Sequence, residues 1–242
     1  MNSFLMTPNN GQLIYVRIKT QTRRPMKDSA LSLIKDLAGD ANDPSPLTFE
    51  WVTNIQRQDD NGVPYRYTGL LVSLEEYPDE GAVEVPCPFR VGEIRYIREA
   101  HYLYGRWIRS KATKSQKPQY HFIADRSKGA CYANNPPPHV CTDRRKVGWF
   151  RRSGLFMPQW AARSFVKILS VWGEQIQSIS EEDAIAEGIP YTGDRIQDGK
   201  KVNGAISVQG CFRALWDSIY GADAWGQNWW VWGIKIERVA IN

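Results

Sequence analysis

The sequence predicts a mixed α+β fold. Three observations carry that reading: several apolar stretches alternate at strand period, two segments repeat at helical period between start and stop signals, and a long proline-bearing basic block follows neither period. Residues 47–55 and 65–74 read as strands joined by Asp59-Asp60-Asn61-Gly62, a hairpin-type turn sequence. Val91-Gly92-Glu93 reads as a turn feeding a strand over 94–100. Residues 164–171 alternate in polarity. So do 229–239, where Val231, Gly233, Lys235 and Glu237 oppose Trp230, Trp232, Ile234 and Ile236.

The helices have their own signals. Leu31, Leu33, Ile34 and Leu37 recur at near-helical spacing over 29–37, and Gly39 follows as a stop. Ser180 is placed to cap a helix whose first turn, Glu181-Glu182-Asp183, is acidic, and Gly188 ends it. Residues 211–220 form an amphipathic pattern expected to bury Phe212, Leu215, Trp216 and Ile219 and to expose Arg213 and Asp217. Residues 12–17 suit a strand or a short helix. Residues 41–46 are turn-like, 75–81 an acidic loop, and 191–208 a polar loop or hairpin. The expected organisation is one domain, 1–242, with a loop-rich insertion at about 102–148. Within that insertion 119–124 is a possible strand and Pro136-Pro137-Pro138 must be extended. Loops this long often cover a substrate.

Composition narrows the class. The 242 residues are 42% hydrophobic and 24% charged, which is ordinary for a globular protein. The 10 Trp, 11 Tyr and 8 Phe exceed what one core needs, so some are expected to line a cleft where bases stack. A net charge of +5 favours an anionic partner. There is no bilayer-length apolar run and no signal-peptide pattern, so a cytoplasmic location without membrane contact is expected. Cys87, Cys131, Cys141 and Cys211 are irregularly spaced. With His121 and His139 they match no standard zinc pattern, so neither metal nor cofactor is expected.

The densest chemistry is Lys19-Thr20-Gln21-Thr22-Arg23-Arg24. If extended, it sends Lys19, Gln21 and Arg23 to one side and Thr20, Thr22 and Arg24 to the other. If it is a turn entering a helix, Lys19 and Thr22 share a face. Either way its donors suit a phosphate, a carboxylate or a base edge.

Lys-Thr-x-Thr-Arg near the N-terminus resembles the signature of the ASCH-domain family, in the PUA-like superfamily. The chain is most similar to phage-encoded members. Val91-Gly92-Glu93 followed by Tyr96-Ile97-Arg98-Glu99-Ala100 resembles one of their blocks, and Met157-Pro158-Gln159-Trp160-Ala161-Ala162-Arg163 another. The segments 176–188 and 212–221 also look like theirs. The resemblance implies a small PUA-like β-barrel with packed helices. It also implies recognition of RNA, DNA or a nucleoside or nucleotide, with a base held between barrel and helices.

Some ASCH proteins are amidohydrolases that deacylate a modified cytosine nucleoside of the N4-acetylcytidine type. By resemblance, Lys19 maps onto the activating lysine and Thr22 onto the threonine nucleophile. The assisting glutamate belongs in the strand over 165–171, where this chain carries Lys167. Glu174 is expected to lie beyond that strand, and Glu99 is the candidate from a neighbouring one. The incomplete set puts recognition ahead of hydrolysis. A host-protein partner is a third alternative.

For binding, the cation candidates are Lys19, Arg23, Arg24 and Arg98, and the aromatic candidates Tyr96, Trp107, Trp160 and Trp232. Arg144, Arg145, Arg151 and Arg152 bracket Trp149 and Phe150, a pattern suited to single-stranded nucleic acid. Lys19, Thr22, Arg23, Arg98 and Glu99 are expected to converge on one cleft.

Overall fold

The elements follow the sequence signals in chain order in a computed structural model that describes residues 1–38, 47–58, 62–74, 82–109, 119–189, 195–197, 200–202 and 207–240. The first half comprises β1 (Ser3–Leu5), α1 (Pro8–Tyr15), β2 (Gln21–Pro25), α2 (Asp28–Ala38), β3 (Leu47–Gln58), β4 (Pro64–Leu74), β5 (Val83–Val85), β6 (Ile94–Arg98) and β7 (His101–Arg109). Then come β8 (Tyr120–Ala124), β9 (Ala130–Tyr132), β10 (Gly148–Arg152), β11 (Phe165–Gln175), α3 (Glu181–Ala186), β12 (Arg195–Gln197), β13 (Lys200–Val202), α4 (Val208–Tyr220) and β14 (Trp230–Val239). The fold is α+β with sheet predominating. Among the described residues the strands form open sheets, not a closed barrel. The expected loops at 41–46 and 75–81, and most of 191–208, lie outside the described residues.

Local chemistry accounts for the helices. Residues before the basic motif are helical: Thr7 accepts from the Asn10 amide, Pro8 sits in the first turn, and α1 closes at Val16 before Arg17 turns at φ 63°. Ser180 caps α3 through the Asp183 amide at 3.0 Å, and Gly188, at φ 92°, ends it. Helix α4 starts three residues before its sequence pattern because Ser207 caps it through Gly210. Phe212 and Trp216 are buried as expected, whereas Ile219 is 41% exposed.

The chain groups into two compact units. Unit 1 is Met1–Arg17, Ile94–Val166 and Arg238–Asn242; unit 2 is Ile18–Glu93 and Lys167–Glu237. In unit 2, β11, β14 and β2 lie side by side, and β3, β4 and β5 form a three-stranded antiparallel sheet packed by α2. Ile176, Ile179, Phe212, Trp216 and Val231 form a core around α3 and α4. Several tryptophans are absorbed there: Trp216 stacks on Tyr220 at 4.3 Å and meets Trp229 edge-on at 6.3 Å.

In unit 1, β1 pairs with β6 in parallel. Part of the span read as a loop-rich insertion is sheet: β7 is flanked by β10 on one side and by β8 and β9 on the other. Strand β8 matches the possible strand at 119–124, whereas β7 and β9 escape notice because basic residues interrupt the apolar alternation of β7 and β9 is only three residues long. Register assigns the faces. His101, Leu103 and Trp107 of β7 share one face with Phe122, Tyr132, Phe150 and Arg152, and Leu103 packs there on Met157 and Ala161. Tyr102, Tyr104 and Arg106 share the other face with His121, Ile123, Trp149 and Arg151.

His101 is fully buried on the core face. Its Nδ1 lies 3.0 Å from the Glu99 carbonyl, and its Nε2 has no partner among the described residues. Burial pushes its pKa below the ordinary 6.5; the Glu99 carbonyl opposes that, and the Arg152 charge adds to it. The folded state therefore holds His101 neutral where an unfolded histidine takes up a proton. Stability should be unaffected by this residue above pH 6.5 and fall as the pH drops through 6.5 toward the folded value. Denaturant melts of wild type and His101→Gln at stepped pH check this: the acid-side slope should be shallower in the variant.

Candidate functional site

The basic motif is extended from Gln21, and its alternation governs the first cluster. Strand β2 pairs with β14 so that Arg23 faces Gly233 and Thr22 faces Ile234. A Cβ on Gly233 would run into the Trp172 indole, so glycine leaves room for that ring, and the Arg23 guanidinium lies 5.9 Å from its centre. Just before the strand, the Thr20 amide donates to the Ala186 carbonyl and the Ile236 amide to the Thr20 carbonyl, each at 2.8 Å. These two bonds hold Lys19 against the end of α3.

Arg23 is saturated with acceptors. Nε donates to Glu174 Oε1 at 2.8 Å, Nη2 to Asp183 Oδ2 at 2.9 Å, and Nη1 to Glu187 Oε1 at 3.3 Å. Gln21 joins through Asp183 Oδ1 at 2.9 Å and accepts from Arg23 Nη1 at 3.2 Å. Lys19 Nζ donates to the Glu187 carbonyl at 2.8 Å and pairs with its carboxylate Oε2. Lys19, Thr22, Arg23 and Glu187 are all buried. Burial pushes the Lys19 pKa below its ordinary value, Glu187 opposes that, and Arg24 and Arg23 reinforce it. Burial likewise raises the Glu174 carboxyl, against the pull of Arg23. Arg24 hydrogen-bonds the Tyr220 hydroxyl. Thr22 points to the face opposite Gln21 and Arg23.

Two acids of this cluster were readable differently. Glu174 lies within β11, which extends to Gln175, and not beyond it; Lys167 on the same strand is exposed. Glu187 occupies the C-cap of α3, where the helix dipole disfavours a carboxylate. An acid at that unfavourable position, one residue before the stop glycine, was the available sign that cations lie opposite it.

Glu99 and Arg98 belong to unit 1, apart from the unit that holds Lys19, Thr22 and Arg23. Glu99 is fully buried, and Arg163 grips it with two bonds of 2.8 Å, Nε to Oε1 and Nη2 to Oε2. Arg163 also reaches Asn134 at 2.7 Å and lies over Tyr132 at 4.2 Å and Tyr15 at 4.9 Å. Gly11 of α1 makes way for this pair, since a Cβ there would approach the Glu99 carboxyl to 2.7 Å. The Glu99 carboxylate is thus engaged in an ion pair that holds unit 1 together.

The remaining candidates lie in unit 1. Tyr96 donates to the Met157 carbonyl at 3.5 Å and Arg98 to the Leu155 carbonyl at 3.1 Å. Trp160 carries Arg126 5.5 Å from its ring. The basic run 144–152 is divided by strand alternation. Arg151 and Trp149 lie on the outer face of the sheet, and Trp149 meets Tyr104 edge-on at 5.6 Å. Arg152 lies on the core face, 4.5 Å from the Trp107 ring, with Arg144 at 4.8 Å from the same ring. Arg145 turns back to Asp143 through Nε at 3.0 Å and Nη2 at 3.1 Å. The run is not one continuous track. Tyr102, Tyr104 and Arg106, which sequence reading passed over, complete the outer face because they sit in the span read as loop.

Compared with protein-family models, curated proteins and solved structures, the chain finds no match. No helix among the described residues is long and apolar enough to cross a membrane.

Removing one partner from the unit 2 network should be costly, since Glu187 compensates two buried cations at once. Glu187→Ala should lower unfolding free energy by about 3–5 kcal/mol in denaturant titration. An exposed acid on the same helix, Glu182→Ala, should change it by less than about 0.5 kcal/mol.

Proposed function

We propose that this chain recognises nucleic acid, and that the contact surface is the outer face of the four-stranded sheet in unit 1. The observation that carries the reading is the division of charge. Counted over the residue ranges of the two units, unit 1 has 17 Lys and Arg against 3 Asp and Glu, a net +14. Unit 2 has 14 against 23, a net −9, and the two make up the chain's +5. The modest whole-chain charge conceals a strongly basic body, the electrostatic footprint of a polyanion-binding protein. Two of the three carboxylates in that body are already committed, Glu99 to Arg163 and Asp143 to Arg145.

The outer face adds the second requirement. Tyr102, Tyr104 and Trp149 are half-buried there, with Arg106 and Arg151 exposed beside them. Aromatic rings on an accessible sheet, flanked by guanidiniums, suit unstacked bases of a single strand with phosphates alongside. The resemblance to ASCH proteins supports the same class of partner, and a PUA-like relationship is part of the proposal.

Binding of a fluorescent single-stranded oligonucleotide should weaken steeply with salt. Arg106→Ala with Arg151→Ala should reduce the slope of log K against log salt by about 1.4, two phosphate contacts at about 0.7 each. Trp149→Ala should cost about 1–3 kcal/mol with the slope unchanged. No binding at low salt would overturn the reading.

Deacylation of an N4-acylated cytosine nucleoside is a second reading, favoured by one observation. Lys19 is buried with its Nζ paired to the Glu187 carboxylate, and Glu174, on the strand where the resemblance asks for a glutamate, joins the same network through Arg23. A buried lysine beside a carboxylate that can take its proton is a candidate base. Turnover by the wild type that disappears in both Lys19→Ala and Thr22→Ala would establish it. Absence of turnover in the wild type would remove it.

A further inference from the structure

Arg144 and Arg152 converge on one indole. Their guanidinium carbons lie 4.8 and 4.5 Å from the Trp107 ring centroid, and Arg152 also lies 4.8 Å from Phe122 and 5.7 Å from Phe156. Two like charges held this close normally share a carboxylate. Among the described residues neither has one: Asp143 is taken by Arg145 and Glu99 by Arg163. Aromatic faces hold a guanidinium in place without neutralising it, and the in-plane N–H groups of a stacked guanidinium stay available. The place is open to solvent, with Arg144 exposed and Phe156 68% exposed. His101, the cross-strand partner of Arg152, adds a buried imidazole whose Nε2 has no partner among the described residues.

We propose that Arg144 and Arg152, seated on Trp107, form a binding site for a phosphate monoester. Two uncompensated charges match the dianion better than the single charge of an internal phosphodiester, and two guanidinium edges suit its oxygens. The other groups facing Arg152 are neutral or cationic: Trp107, Phe122, Phe156, His101 and Arg144. The site lies on the opposite face of the sheet from Tyr104, Trp149 and Arg151, so it stands or falls independently of the nucleic-acid surface. Free inorganic phosphate, a nucleoside monophosphate and the 5′-phosphate end of a strand all present this chemistry.

Calorimetric titration of the full chain separates these sources. Inorganic phosphate should bind, with sulfate as a charge-matched comparison, and a 5′-phosphorylated oligonucleotide should bind about tenfold more tightly than its 5′-hydroxyl counterpart if the strand end is the source. Arg144→Ala, at an exposed position, should abolish phosphate binding, and Arg145→Ala should leave it intact. Arg152→Lys keeps charge and stem but loses the planar fork, so it should weaken binding without unfolding the chain. Phosphate binding with no oligonucleotide binding would support the site while removing the nucleic-acid reading. Phosphate affinity unchanged by Arg144→Ala and Arg152→Lys in folded protein, or no phosphate binding by the wild type, would overturn the site.

Discussion

Scarcity of carboxylates is the constraint on which unit 1 depends. With three acids for 17 cations, most guanidiniums there cannot be ion-paired within the unit. The structure seats several of them on rings: Arg126 over Trp160, Arg144 and Arg152 over Trp107, and Arg238 over Tyr15, while Arg163, already paired with Glu99, also lies over Tyr15 and Tyr132. Each such contact contributes about 0.5–2 kcal/mol and leaves the charge in place. That arrangement gives many of the aromatic residues of unit 1 a role. They stabilise a cationic body and leave it cationic toward solvent.

Unit 2 solves the opposite problem. It has acids in excess, and it buries two cations, Lys19 and Arg23, by surrounding them with Glu174, Asp183 and Glu187. A buried pair of this kind contributes little net stability compared with apolar packing, but loss of one partner is severe because the other charge stays desolvated. The network fixes the end of α3 against β2.

Strand alternation then divides one basic run between two surfaces. Trp149 and Arg151 face outward, and Phe150 and Arg152 face the core side. A stacking surface and a discrete anion site can therefore arise from neighbouring residues without sharing a ligand. The same alternation separates Thr22 from Gln21 and Arg23 on β2, which weighs against a single shared chemistry for the whole Lys19–Arg24 motif.

The sequence by itself determined the local elements. Helical spacing located α2 and α4, a serine cap and glycine stop located α3, and apolar alternation located β3, β4, β11 and β14, because these signals act within a few residues of chain. It left the basic motif either extended or a turn, and the fold selects the extended form from Gln21, with Gln21 and Arg23 on one side. Tertiary structure decided the rest. Strands β7 and β9 form where the sequence read loop, and β10 at its far end, since cross-strand pairing supplies what their broken alternation does not. Glu99 is committed to Arg163, and Glu187 and Glu174 to Arg23, because residues 64, 164 and 151 positions apart meet only when the chain folds. Charge followed the same rule: the +5 of the whole chain is legible at once, but its division into +14 and −9 depends on which distant segments cluster together.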